Sequence, residues 1–216
     1  MTRYNVCSIN VGKPMVMETS HGEVETAFQK KPVDEPVYLG ELHFDGDEQA
    51  DKKHHGGPDR AVCLYPADHY PYWGEKYGKE FTFPSFGENL SVAGIDEDAL
   101  CIGDVFQLGE ARLQVTEPRQ PCYKIARTHE LDDFPAQVMK TGFTGCYLRV
   151  LEPGQVKPGD DLKRIESDAR QVTITEVNDV KYHDRDNKDK IKRILECEAL
   201  AAGLRQSLEK KLVTYD

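Results

Sequence analysis

Asp104-Val-Phe-Gln-Leu-Gly-Glu-Ala-Arg-Leu-Gln-Val115 decides how this chain reads: two runs of alternating apolar and polar residues meet at Gly109-Glu110, the pattern of a two-residue β-hairpin. The hairpin feeds straight into Thr116-Glu-Pro-Arg-Gln-Pro-Cys-Tyr-Lys-Ile125. Pro118 and Pro121 fix their own φ and push Glu117 and Gln120 towards extended geometry, so this segment is stiff and delivers Cys122 to a defined place. The run from Cys122 to His129 then predicts a short helix with Cys122 in its first turn, where free N–H groups favour an anion. Arg119 and Lys124 flank the thiol, a setting that favours its thiolate. Residue chemistry alone leaves two readings, a reactive Cys122 presented by the loop or an inert cysteine packed beneath it.

Working outward, Val6-Cys-Ser-Ile-Asn-Val11, Val37 to Phe44, Ala61 to Tyr65, the stretch after Phe86-Gly-Glu-Asn-Leu90, and Gly145 to Leu151 each read as strands. Gln155 to Ile165 reads as one more, broken by Pro158-Gly159. A polar connection separates the first two. Many short strands with turns between them predict a barrel or a closed sandwich. Pro66 to Tyr77 predicts a helix with Tyr70, Trp73 and Tyr77 on one core-facing side, and Asp133 to Thr141 predicts another, with an acidic cap and Gly142 just beyond it. Asp45 to Asp59 is too polar to pack and reads as a functional loop.

After Glu166 the period changes to 3.6. Thr173-Ile-Thr-Glu176 is a capping box, Lys188 to Cys197 carries Ile191, Ile194 and Leu195 on one face, and Leu200, Leu204, Leu208 and Leu212 recur every four residues. The chain therefore divides into a β domain, 1–165, and a three-helix unit, 166–216. So short a unit buries too little to stand alone, so its leucine stripe needs cover from the barrel or from a second chain, and a homodimer is the expectation.

The chain has 216 residues and a net charge of −10, with a pI near 5.2. Residues 166–216 hold 10 Lys and Arg against 11 Asp and Glu, leaving 18 against 27 in 1–165, so no basic face exists for nucleic acid. No apolar run approaches membrane-spanning length and no signal peptide opens the chain, which predicts a cytoplasmic protein with no membrane partner. Six dispersed cysteines without a C-x-x-C suggest neither a zinc knuckle nor a disulfide scaffold. Cys63, Cys101 and Cys146 lie in or beside apolar runs and read as packing residues. No G-x-G-x-x-G fingerprint is present.

His54-His55-Gly-Gly-Pro-Asp-Arg-Ala-Val62, Phe86-Gly-Glu-Asn-Leu90, Ile102-Gly-Asp104, Pro118-Arg-Gln-Pro-Cys122 and Gly145-Cys-Tyr-Leu-Arg-Val-Leu151, in this order, resemble the MOSC family, named for the C-terminal domain of molybdenum cofactor sulfurases. The helical tail further resembles the YiiM branch, linked with resistance to 6-N-hydroxylaminopurine. The resemblance covers nearly the whole chain. It implies a mainly β fold, an antiparallel β-barrel with short peripheral helices and a C-terminal three-helix appendage. It also implies a molybdenum cofactor of the molybdopterin type, with Cys122 as metal ligand and catalytic residue, and reduction of N-hydroxylated compounds. Candidate cofactor contacts are His54, His55, Gly56, Gly57 and Arg60 from one loop, with Arg119, Gln120 and Lys124 around the cysteine. Glu88 and Asn89 either join them or close a turn. With no dinucleotide fingerprint, electrons are expected from a separate reductase protein. A sulfur carrier with a persulfide on Cys122, or a non-catalytic cofactor-carrier module, are the alternatives.

Overall fold

The computed structural model describes residues 2–20, 22–48 and 56–214. Its strands are β1 (Arg3–Val11), β2 (Met15–Thr19), β3 (Gly22–Thr26), β4 (Lys31–Pro32), β5 (Val37–Leu39), β6 (Val62–Pro66), β7 (Leu90–Ala93), β8 (Val105–Leu108), β9 (Ala111–Pro118), β10 (Cys146–Glu152), β11 (Gly154–Val156) and β12 (Asp161–Glu166). The helices are α1 (Tyr70–Tyr77), α2 (Tyr123–His129), α3 (Phe134–Thr141), α4 (Ile174–Tyr182), α5 (Lys188–Leu195) and α6 (Ala202–Thr214).

Seven strands close into a barrel in the order β1, β12, β8, β9, β10, β6, β7 and back to β1, with β4 attached to the end of β1. The Gly109-Glu110 turn joins β8 to β9 as expected, with Leu108 opposite Ala111. The barrel departs from the antiparallel expectation at one pair. β6 and β7 run parallel, with Leu64 opposite Leu90, because the chain between them crosses over through α1, which no hairpin turn allows. The connection after β1 is also more than a polar link: β2 and β3 pair in it as a separate two-stranded ribbon. Val37 to Phe44 is a strand only as far as Leu39 and then turns at Gly40, closed by a bridge between Leu39 and Phe44.

Alternation sorts the two faces of the barrel. On β6, Val62 and Leu64 enter the main core, whereas Tyr65 joins a second, aromatic core outside the barrel with Tyr70, Trp73, Phe86, Ile125, Phe134 and Val138. The Trp73 indole N–H donates to the Tyr65 hydroxyl at 2.7 Å, satisfying its buried polar atom. At α3 the predicted acidic cap does not form, because the Asp133 carboxylate accepts from Tyr77 and Gln137 side chains instead.

The tail packs on its own barrel. Val172, Ile174, Val177, Val180, Ile191, Ile194, Leu200, Leu204 and Leu208 share one continuous buried cluster with the barrel interior. Backbone bonds stitch the two together: Ile102 N–H to Val172 O at 2.8 Å, Ile174 N–H to Leu100 O at 2.8 Å, and Ala201 N–H to Thr116 O at 3.1 Å. The Thr173 and Glu176 capping box opens α4 as read from sequence. The leucine stripe is thus covered within one chain. Leu204→Ala should cost about 2–5 kcal/mol, read as a lower denaturant midpoint with an unchanged slope. Among the described residues, no helix is long and apolar enough to cross a membrane.

Candidate functional site

A pocket opens at the end of the barrel where β6 and β7 begin and β9 stops, and Cys122 lies in its wall. Pro121 holds the chain extended into Cys122, whose φ of −114° and ψ of 164° make it the N-cap of α2 rather than a residue of its first turn. Its side chain makes no capping bond, so the half-buried thiol stays available to a ligand.

Arg119 is the second element of the wall. Only 5 % exposed, it donates from Nη2 to the Phe86 carbonyl at 2.8 Å, while its Nη1 is buried without a hydrogen-bond partner. Burial works against its charge, but the thiols of Cys63 and Cys122, the Tyr147 phenol and the Glu88 carboxylate outweigh it, and the net direction is upward. A cation held charged with an unpaired buried nitrogen calls for an anion. Arg60 stands across the pocket, its Nε bonded to Glu117 Oε1 at 2.6 Å and its guanidinium 5.6 Å from the Tyr147 ring centre. Lys124 also lines the pocket, donating to the Glu25 carbonyl at 2.9 Å, and exposed Gln120 completes this side.

Asn89 reaches the wall, yet its amide is spent within the fold. It accepts from the Cys63 N–H at 3.1 Å and donates to Asn10 O at 3.1 Å and Asp47 Oδ2 at 2.9 Å. Glu88 lies behind the wall, fully buried, accepting from Tyr70, Ser91 and the Phe86 N–H, and burial pushes its carboxyl up. Gly56 and Gly57 are not in the pocket wall. Gly57, at φ 99°, opens the turn Pro58–Arg60 that presents Arg60, a conformation glycine adopts without strain. His54 and His55 lie outside the described residues.

Sequence reading missed Phe28, Lys30, Asp47, Cys63 and Tyr147, all of which line the pocket. Cys63 was legible in principle, because period-2 alternation after Val62 puts it on the outer face with Tyr65, away from the barrel interior. Burial holds its thiol up at about 11, so it is a neutral thiol beside Arg119. No described residue of the three-helix tail lines the pocket.

Residues 51–163 match the family model of the MOSC domain, and residues 172–214 match that of the YiiM-like, 3-alpha helix domain. The chain is 45 % identical over 209 residues to the uncharacterized protein YflK of Bacillus subtilis (strain 168), covering 97 % of this chain and 95 % of that protein. It superposes on the crystal structure of YiiM from Geobacillus stearothermophilus with a TM-score of 0.83 at 39 % identity, over 97 % of this chain and 99 % of that one. A protein of Gibberella moniliformis (strain M3125 / FGSC 7600) named a reductase is 35 % identical over 149 residues, 67 % of this chain but 26 % of that protein.

Proposed function

The chain belongs to the MOSC domain family, with a YiiM-like three-helix domain at its C-terminal end, and we propose that it is a molybdenum-cofactor-dependent reductase of N-hydroxylated compounds. The observation that carries this reading is the pairing, in one pocket, of the available Cys122 thiol with the buried, half-partnered Arg119 guanidinium. A thiolate is a soft donor suited to a thiol-ligated metal, and the unpaired Nη1 of Arg119 fits an anionic group such as the phosphate of a pterin cofactor. Cys122 would hold the metal, while Arg119, Arg60, Lys124 and Gln120 would hold the polar parts of the cofactor. When bound, the group supplies two-electron redox chemistry at a metal, which no side chain here provides.

The remaining work falls to the protein. The reaction R–NH–OH + 2 e⁻ + 2 H⁺ → R–NH₂ + H₂O needs an oriented N–OH bond, protons and restricted water. Burial raises the Tyr147 phenol, which therefore keeps its proton in the wall, and Arg60 stays charged against Glu117. Phe86 brings the apolar surface of the aromatic core into the pocket wall. A separate reductase protein is the electron source in this reading.

Protein made with molybdate and without it, assayed anaerobically with a reduced dye and 6-N-hydroxylaminopurine, tests the proposal. Dye oxidation that tracks molybdenum content is the expected result. Equal activity without molybdenum, or metal-loaded protein that never turns over, would remove it and leave the persulfide carrier or the non-catalytic carrier module.

A further inference from the structure

The segment between β1 and β4 is fastened as a strap. Its two ends meet at one buried carboxylate: the Gly12 N–H donates to Asp47 Oδ1 at 2.9 Å, and the Lys30 ammonium pairs with the same oxygen. The ends lie so close that a Cβ on Gly12 would sit 3.0 Å from the Lys30 Cα. Between them β2 and β3 pair only with each other, and Lys124 Nζ ties their outer edge to α2 through the Glu25 carbonyl. This fastening sets Phe28 in the wall of the Cys122 pocket.

Among the described residues three aromatic rings, of Phe28, Phe86 and Tyr147, reach that wall, and they differ in how they are held. Phe86 is 1 % exposed and stacks on Tyr65, with centroids 3.8 Å apart and planes 10° from parallel, so it belongs to the core. Tyr147 is held within β10 beside Arg60. Phe28 alone of the three is carried by the strap, and it is half-buried. Its ring rests against Gly87, where a Cβ would come within 2.8 Å of a ring carbon, and meets His129 edge-on at 6.3 Å. The Arg119 guanidinium lies 5.8 Å from its centre. A side chain at Gly87 would displace the Phe28 ring, and glycine also adopts the φ of +67° found there without strain.

We infer that Phe28 is the specificity-determining residue of this site, its strap-borne ring being the stacking surface for the planar part of an aromatic N-hydroxylated substrate whose N–OH group is directed towards Cys122. The inference rests on the reductive reading above. Stacking on an aromatic side chain accepts any planar base and offers an aliphatic N-hydroxyl compound little. Selection between the two classes then falls to the strap, because no described residue of the tail reaches the wall.

The test compares kcat/KM for 6-N-hydroxylaminopurine and for acetohydroxamic acid in cofactor-loaded wild type, Phe28→Ala and Phe28→Tyr. Base stacking predicts that Phe28→Ala shifts the ratio of the two about tenfold against the purine, chiefly through KM, and that Phe28→Tyr restores it. Molybdenum content and thermal midpoint, measured alongside, separate this from lost cofactor or lost fold. An unchanged ratio in Phe28→Ala overturns the inference. If wild type reduces neither compound, the reductive reading fails by itself, and calorimetric titration with 6-N-hydroxylaminopurine still decides the role of Phe28. Weaker binding to Phe28→Ala would support it and equal affinity would overturn it.

Discussion

Cys122→Ser is expected to abolish the proposed N-hydroxyl reduction and to strip the proposed metal in the same step. A serine hydroxyl stays protonated at neutral pH and is a hard, weak donor, so it cannot replace a thiolate on a soft centre. The substitution should leave the fold alone, because the Cys122 side chain makes no capping bond and is half-buried. Activity and molybdenum content should therefore fall together while the thermal midpoint holds. Serine variants of Cys101 and Cys146 should do the reverse, losing stability before activity, as Cys146 is fully buried in the main core. Full turnover by Cys122→Ser with metal still bound would end the proposal that this thiol is the ligand.

Arg119→Ala should lower cofactor retention about tenfold to a hundredfold, the equivalent of roughly 1.5–3 kcal/mol for one charge-assisted bond to an anion. Part of any loss would come from the fold, since the Phe86 carbonyl loses its 2.8 Å donor and the turn at Gly87 loses support. Arg119→Lys separates the two effects: it keeps a buried charge but not the fork that serves Phe86 and an anion at once. Molybdenum per chain after gel filtration, set beside the denaturant midpoint, reads both. Wild-type retention in both variants would place the anion elsewhere in the pocket.

What could be read before folding was whatever depends on near neighbours. The β8–β9 hairpin, the extended delivery of Cys122 and the capping box of α4 each have both partners within a few residues, so spacing and residue type suffice. The Cys122 helix start was misplaced by one position for the same reason, because local signals locate an element better than its boundary.

The amino-acid sequence by itself therefore determined a β-rich chain with a helical tail, a cysteine delivered by a stiff loop, and cations on either side of it. Only the tertiary structure decided what that cysteine faces. Arg60 meets Glu117 across 57 positions, Asp47 gathers Gly12, Lys30 and Asn89, and Phe28 arrives from a ribbon that reads as polar connection. None of these pairings has a periodic signature. Closing seven strands into one barrel brings distant segments to the same end, and that closure is set by packing summed over the whole core rather than by the preference of any single stretch.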